Sequence, residues 1–426
     1  MTVVFSVRRR EPELVGPARP TPRETKRLSD LDDKEGLRCH VPNLFFYRRV
    51  VHGDHPARSI RRALGEALVP YYPLAGRLRE VEGRKLVVDC TGEGVLFVEA
   101  DADAPLAELE AAGLRPPFPS MDQLLFDVEG SGGIINTPLL LIQVTRLLCG
   151  GFVLAVRLNH VMCDAPGIVQ FLSAVAELAR GLPSPTISPS WSRELLNARS
   201  PPEPTFPHHE YDPVPPSRPP PSPSDMVMRT FTFTAADVTM LKNKHLSPHL
   251  RDTATTFDVL AACLWIARTA ALEISPEEDA RLTFPATIRG VRELGLPAGY
   301  YGNAFVLPMA VAAAGSLRGG GGLGYAVELV REAKKAAASA DGRPSPAMGN
   351  MFMVSDNRRA GFDRLDFGWG KPVYGGVASP TSVLSYLIAV RNGDGEDAIA
   401  VPVMLPQPAM DRFASELKES SQCLTS

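Results

Sequence analysis

Long apolar runs are missing from this 426-residue chain, and none of its hydrophobic stretches approaches the ~18–20 residues that a membrane-spanning helix needs. Cysteine is scarce. The six residues Cys39, Cys90, Cys149, Cys163, Cys263 and Cys423 fall into no CxxC or Cys/His metal spacing, so a structural zinc site is excluded and no metal is expected. A reduced, intracellular protein is the simplest reading of such scattered thiols. An excess of charge of one sign is also lacking: 45 basic against 48 acidic residues leave a formal net charge of −3, which argues against nucleic acid as a partner. The local clusters Arg8-Arg9-Arg10, Arg61-Arg62 and Arg358-Arg359 read as solvated faces. The first residues place apolar side chains before basic ones, the wrong order for a secretory signal, so a soluble cytoplasmic protein is expected, with no membrane association.

Several catalytic signatures are absent as well. There is no GxSxG elbow, no GxxxxGK[ST] and no HExxH, which removes support for serine hydrolysis, P-loop chemistry and zinc proteolysis. Residues Gly319 to Gly324 satisfy GxGxxG, but four consecutive glycines do so trivially. No acidic residue ends a following strand to complete a dinucleotide fingerprint. A flexible loop is the expectation there, and a nicotinamide oxidoreductase is left without a basis.

At this length two domains are expected, and 44% hydrophobic with 22% charged residues is the balance of a globular protein. Proline is unevenly spread and dense between Pro183 and Pro223, where Pro215-Pro216 and Pro219-Pro220-Pro221 stand among serines. Proline lacks an N–H and drives its predecessor to extended geometry, so residues 183–224 are expected to form a crossover linker between domains at 1–182 and 225–426. Period-two and period-3.6 patterns place helices and strands in both halves. Expected helices are Ser59 to Val69, Thr256 to Leu272, Tyr325 to Ala338 and Met410 to Lys418. Expected strands include Lys85 to Val88 and Val95 to Val98 around the turn Asp89 to Gly94, and Leu139 to Thr145 paired with Gly151 to Val156. Further strands are expected at Arg229 to Thr234, within Val373 to Val390, and at Ile399 to Leu405. The fold class is α/β in both halves.

The most informative segment is Gly151-Phe-Val-Leu-Ala-Val-Arg-Leu-Asn-His160-Val-Met-Cys-Asp164. A strand-like run ends at a histidine, a carboxylate follows four positions later, and Ala165-Pro166-Gly167 opens a helix with Ile168, Phe171, Leu172, Val175 and Leu178 at helical spacing. Imidazole has the unperturbed pKa nearest neutrality, so His160 suits proton removal from a hydroxyl or thiol. By itself a histidine here also serves as an ordinary strand-end residue, and Asp164 sits where an N-cap accepts backbone N–H bonds. Further on, Asp366-Phe-Gly-Trp-Gly370 sets an acid and two aromatics among glycines. Read without other context it is a fixed turn, with Asp366 locking it through a salt bridge and Phe367 and Trp369 filling a core.

The two motifs together, in this order, resemble the plant BAHD acyl-CoA-dependent acyltransferases. Supporting segments run nearly end to end: Leu28-Ser-Asp-Leu-Asp-Asp33, Tyr71-Tyr-Pro-Leu-Ala-Gly-Arg77, Pro138 to Thr145, Gly299-Tyr-Tyr-Gly-Asn-Ala-Phe305 and Val354-Ser-Asp356. The wording is most similar to the branch of benzyl alcohol O-benzoyltransferases, alcohol acyltransferases and taxane acyltransferases. The resemblance implies two chloramphenicol-acetyltransferase-like domains, each a mixed sheet flanked by helices, with a channel between them. It implies His160 as general base on the acceptor and a tetrahedral intermediate that expels CoA thiolate. Trp369 and the Asn303 amide are the implied oxyanion donors. Asp164 is expected to turn aside and pair with an arginine, matched here to Arg289, while Asp366, Gly368 and Gly370 are expected to be structural. Lys371 is a candidate contact for CoA.

Acyl-CoA as co-substrate, a small alcohol as acceptor, no bound cofactor and a monomer complete the expectation. N-acylation by the same base and an inactive acyl-CoA-binding descendant are the alternatives. Four departures from the branch stand out: Thr287-Ile288 before Arg289, Cys163 for serine, Ala165 for glycine, and a shortened segment after Lys335. The last of these is the one expected to bear on activity.

Overall fold

The computed structural model describes residues 4–49, 55–127, 133–198, 223–319, 322–336, 350–392 and 395–421. The chain folds into two compact units, neither of them continuous in sequence. The first comprises Met1–Ala198, Arg289–Ala304 and Ala360–Ala378; the second comprises Arg199–Ile288, Phe305–Arg359 and Ser379–Ser426. This differs from the linear division at residues 182 and 225. The DFGWG segment, assigned by position to a C-terminal domain, belongs to the first unit. The physical reason is strand pairing: Tyr374–Val377 lies antiparallel to His40–Tyr47, with Tyr374 opposite Phe46. A partner more than 300 residues away leaves no periodic signal in either strand.

The proline-rich stretch also divides differently. Its first part, to residue 198, packs within the first unit, where Ser190 N–H donates to Gly299 O and Trp191 Nε1–H to Arg27 O. Residues 199–222 of the expected linker lie outside the described residues.

The main sheet of the first unit runs in the order Val7–Arg9, Val95–Ala102, Leu140–Arg146, Phe152–Asn159, His40–Tyr47, Tyr374–Val377, with Glu13–Val15 also on Val95–Ala102. Val95–Ala102 and Leu140–Arg146 are parallel and the other pairs antiparallel, so the sheet is mixed. Leu140–Arg146 buries every residue except Arg146, as a strand covered on both faces should. Helices Pro56–Ala67 and Ala165–Ala179 pack together, presenting Ile60, Leu64, Phe171, Leu172 and Val175 to the core. Lys85–Asp89 and Val95–Ala102 form as expected but in different sheets. The former joins Arg77–Val81 and Thr25–Arg27, so the turn at 89–94 connects two sheets rather than closing a hairpin.

The second unit carries a six-stranded mixed sheet ordered Met226–Thr234, Asp397–Pro406, Leu384–Arg391, Met351–Asp356, Asp279–Thr283, Met309–Ala313. The strands expected within Val373 to Val390 are Tyr374–Val377, in the first unit, and Leu384–Arg391, in the second. Thr256–Ala271 is buried almost all round and packs against Gly322–Ala336 and Gln407–Ser421, with Trp265, Phe233, Phe413 and Val330 in one core. A helix apolar on every face is a core helix, which explains its weak amphipathic pattern. Gly322 to Gly324 open the helix Gly322–Ala336, so the end of the glycine run is helical rather than loop. The shortened segment after Lys335 falls on residues 337–349, outside the described residues. Among the described residues no helix is long and apolar enough to cross a membrane.

Thr255 and Asp258 cap the core helix reciprocally: Asp258 N–H donates to Thr255 Oγ1 at 3.2 Å, and Thr255 N–H to Asp258 Oδ2 at 2.8 Å. Lys334 pairs with Asp258 and lies 4.5 Å from the Phe257 ring centroid. Thr255→Ala removes one half of the box. The expected cost is about 1 kcal/mol, read as a lower urea midpoint by far-UV circular dichroism.

Candidate active site

Phe152–Asn159 ends where its antiparallel neighbour His40–Tyr47 begins, and His160 is the first residue beyond it. The backbone there does not fray. His160 N–H donates to Cys39 O at 2.9 Å, Met162 N–H donates to Asn159 O at 3.0 Å, and the His160 carbonyl accepts from the Asn303 side-chain amide at 2.9 Å. His160 itself is half-buried, the apolar neighbours Val161, Met162 and Cys163 are fully buried, and burial pushes the Cys163 thiol well above its ordinary range. With no solvent contact, Cys163 packs as a small apolar side chain.

Asp164 is the N-cap of the following helix, with Oδ1 accepting Gly167 N–H at 3.0 Å. The same carboxylate meets Arg289 in a two-pronged pair, Nη1 to Oδ2 at 2.5 Å and Nη2 to Oδ1 at 2.8 Å, and Oδ2 also accepts Ala304 N–H at 3.1 Å. Arg289 Nη2 further donates to Gly302 O at 2.6 Å. Both oxygens of Asp164 are thus occupied by a guanidinium and two backbone amides. That arrangement holds a loop in place. The Thr287-Ile288 departure leaves Arg289 able to reach Asp164. Thr287 lies in a short strand, Ala286–Thr287, which pairs with Phe305–Val306.

DFGWG is a tight turn of the first unit. Asp366 Oδ1 accepts Gly368 N–H at 2.8 Å and Gly370 N–H at 2.9 Å, so backbone amides rather than a salt bridge lock it. Gly368 at φ +106° and Gly370 at φ +80° lie in the left-handed region that favours glycine. Arg180 holds the Asp366 carbonyl. Phe367 and Trp369 point into the core, Phe367 edge-on to Tyr47 at 5.9 Å and Trp369 edge-on to Phe152 at 5.4 Å. Phe152 begins the strand that ends at His160, so the turn is anchored to the same rigid element. Among the described residues the Trp369 indole N–H donates to none. Lys371 is exposed.

Asn303 is fully buried, and its geometry does not match the role of oxyanion donor. One side-chain N–H goes to Asp32 Oδ1 at 2.9 Å and the other to the His160 carbonyl. An amide nitrogen has two protons, and both are engaged. Asn303 is a brace for His160. Two residues that sequence reasoning passed over complete the brace: Asp32, inside the Leu28 to Asp33 segment, and Arg193, inside the stretch read as linker. They form an ion pair at 2.6 Å with side-chain exposures of 0% and 1%. The available signal was the LSDLDD wording, which marks a segment without saying which acid is buried.

The chain belongs to the Transferase family, the BAHD acyltransferases: residues 5–420 match it. It is 50% identical to a benzyl alcohol O-benzoyltransferase of Petunia hybrida, over 97% of this chain and 94% of that one. It is 48% identical to alcohol acyltransferase 16 of Actinidia chinensis var. chinensis, over 99% and 95%. Its fold is similar to that of TRI101 of F. graminearum, whose crystal structure holds coenzyme A and T-2 mycotoxin, with a TM-score of 0.71 at 18% identity over 94% of this chain and 99% of that one. The two mixed sheets with flanking helices are therefore the two-domain fold that the motifs imply.

Asp164→Ala strips a half-buried guanidinium of its buried carboxylate and a helix of its cap, while Asp164→Asn keeps an oxygen for Gly167 N–H. Thermal unfolding is expected to rank wild type above Asn above Ala. The alanine variant should lose about 3 kcal/mol, at the lower end for a broken buried pair because Arg289 retains some solvent contact.

Proposed function

We propose that this protein is an acyl-CoA-dependent O-acyltransferase that moves an acyl group, benzoyl or short-chain, from coenzyme A to a small alcohol. Family membership and the two alcohol-acylating relatives support the reaction class, and the bound coenzyme A of TRI101 supports the donor. The observation that carries the assignment to this site is the pinned His160: a half-buried imidazole at the end of a rigid strand, on a loop whose acid is fully engaged elsewhere.

In this reading the acceptor hydroxyl gives its proton to His160 as its oxygen attacks the thioester carbonyl. The tetrahedral intermediate collapses with cleavage of the carbon–sulfur bond, and the imidazolium returns the proton to the departing thiolate. Ester and free coenzyme A leave, and the histidine is regenerated. General-base assistance of this kind contributes typically about 10²–10⁴-fold. The Trp369 indole N–H is the donor toward the developing oxyanion, a role worth about 10²–10³-fold. Asp164, Arg289, Asn303, Asp366, Gly368 and Gly370 hold the geometry, and Lys371 is the cation offered to coenzyme A. The same reading has the enzyme working as a monomer in the cytoplasm; the free cysteines, none of them disulfide-bonded among the described residues, support a reducing compartment.

The test is release of free thiol from benzoyl-CoA or a short acyl-CoA, followed against a panel of alcohols with ester identified by mass spectrometry. Wild type should release thiol only when an alcohol is present. His160→Ala should lower turnover at least about 10²-fold with an unchanged melting temperature, and Trp369→Phe about 10²-fold with a smaller change in KM. Full activity in His160→Ala removes the histidine from the mechanism.

A further inference from the structure

Asp32 makes more hydrogen bonds than any ordinary surface carboxylate. Oδ2 accepts Ser29 N–H at 3.1 Å and Ser29 Oγ–H at 2.6 Å. Oδ1 accepts Arg193 Nη1 at 2.6 Å, Asn303 N–H at 2.9 Å and one Asn303 side-chain proton at 2.9 Å. Each partner then reaches the loop that begins at His160. Asn303 gives its second amide proton to His160 O at 2.9 Å, and Arg193 gives Nη2 to Met162 O at 2.7 Å. One buried carboxylate is thereby connected to two points of a five-residue loop, at its first and third residues.

The guanidinium is held as firmly as the acid. Its carbon lies 4.5 Å from the Trp191 ring centroid, 5.2 Å from that of Tyr301 and 5.5 Å from that of Tyr300. Gly302 faces it so closely that a methyl group there would sit 2.0 Å from Arg193 Nη1. The chain around Arg193 is tied to the same place by the bridge of Ser190 to Tyr300.

A charged pair with no solvent contact is not retained for stability alone. Taking both ions out of water costs as much as their attraction returns, and well-packed apolar replacements are often as stable. What such a pair does supply is direction: both terminal nitrogens of the guanidinium and both oxygens of the carboxylate have a fixed target.

We propose that Asp32 and Arg193 are positioning residues for the His160 loop: their buried ion pair sets the imidazole's place through Asn303 and Met162, and the segment after the prolines exists to deliver Arg193. This rests on the reading of His160 as the base. It predicts that catalysis depends on the pair more steeply than folding does, since a displacement of about 1 Å at a reacting group costs about 10²-fold.

The test compares three variants with wild type. Arg193→Lys keeps a cation beside Asp32 but cannot reach Asp32 and Met162 O at once. Asp32→Asn leaves the guanidinium without a countercharge. The double variant Asp32→Asn/Arg193→Met leaves no buried charge. Arg193→Lys should lower kcat at least about ten-fold, with KM for acyl-CoA and alcohol within about three-fold of wild type. Asp32→Asn should lower kcat further and the melting temperature with it. In the double variant the melting temperature should recover while kcat stays about 10²-fold down. A double variant whose kcat recovers with its melting temperature reduces the pair to a structural role and overturns the proposal.

A second readout needs no turnover. The rate at which diethyl pyrocarbonate modifies His160, followed by peptide mass spectrometry, should change several-fold in Arg193→Lys while exposed His249 reacts at its wild-type rate. An unchanged His160 rate together with an unchanged kcat overturns the proposal even if the other variants do not fold. Wild type that modifies normally but turns over no alcohol locates the failure in the functional reading and leaves the positioning inference to the modification rates.

Discussion

The carboxylate of Asp164 is the constraint on which the site depends. A charge removed from water must be repaid by partners at every lone pair, and this one is met by Gly167 N–H, Ala304 N–H and both terminal nitrogens of Arg289. Those partners come from the helix that follows the loop and from a segment 125 residues further along the chain. The acid therefore joins the end of the central strand, the start of a helix and the 289–304 segment at one point, and the turn between His160 and Asp164 has no freedom left. The backbone that carries the imidazole is thus tied, four residues on, to partners from two other parts of the chain.

Three acids in the first unit hold local geometry, two of them buried and Asp366 half-buried and bound through Oδ1 alone. Asp32 is bound by Ser29, Arg193 and Asn303; Asp164 by Arg289 and two backbone amides; Asp366 by the N–H groups of Gly368 and Gly370. None is disposed as the carboxylate of a serine-protease triad, whose task is to orient an imidazole by direct contact with its ring nitrogen. Orientation is achieved here through the backbone: donors grip the His160 and Met162 carbonyls and Cys39 O grips the His160 amide. In the proposed reaction the labour divides accordingly: the acids hold geometry, and the imidazole moves the proton that the departing thiolate takes back.

The secondary structure was largely legible. The strand pair before His160, the core helix beginning at Thr256 and the terminal helix from residue 407 all stand close to where periodicity puts them, because burial on one or both faces leaves its period in the sequence. The capping position of Asp164 was legible for the same local reason. Pairing was not. Lys85–Asp89 and Val95–Ala102 flank one turn and belong to different sheets, and the strands expected within Val373 to Val390 are shared between two units. Proline density pointed to a linker after residue 182 but said nothing of Arg193, which opens a short 3-10 helix, Arg193–Leu196, and whose contacts are long-range.

What the amino-acid sequence determined by itself is the set of local patterns at the candidate site and the elements that carry them. A histidine at the end of an apolar strand, an N-capping aspartate and a glycine-flanked tryptophan are local patterns, governed by backbone geometry and by interactions a few residues apart. What only the tertiary structure decided is who holds them. That Asn303 gives both its amide protons to Asp32 and His160, that Asp366 is met by amides rather than a cation, and that residues 360–378 join the first unit are matters of which distant groups arrive at one buried point. Hydrogen-bond satisfaction in a core is a condition on the whole fold, and no window of sequence contains it.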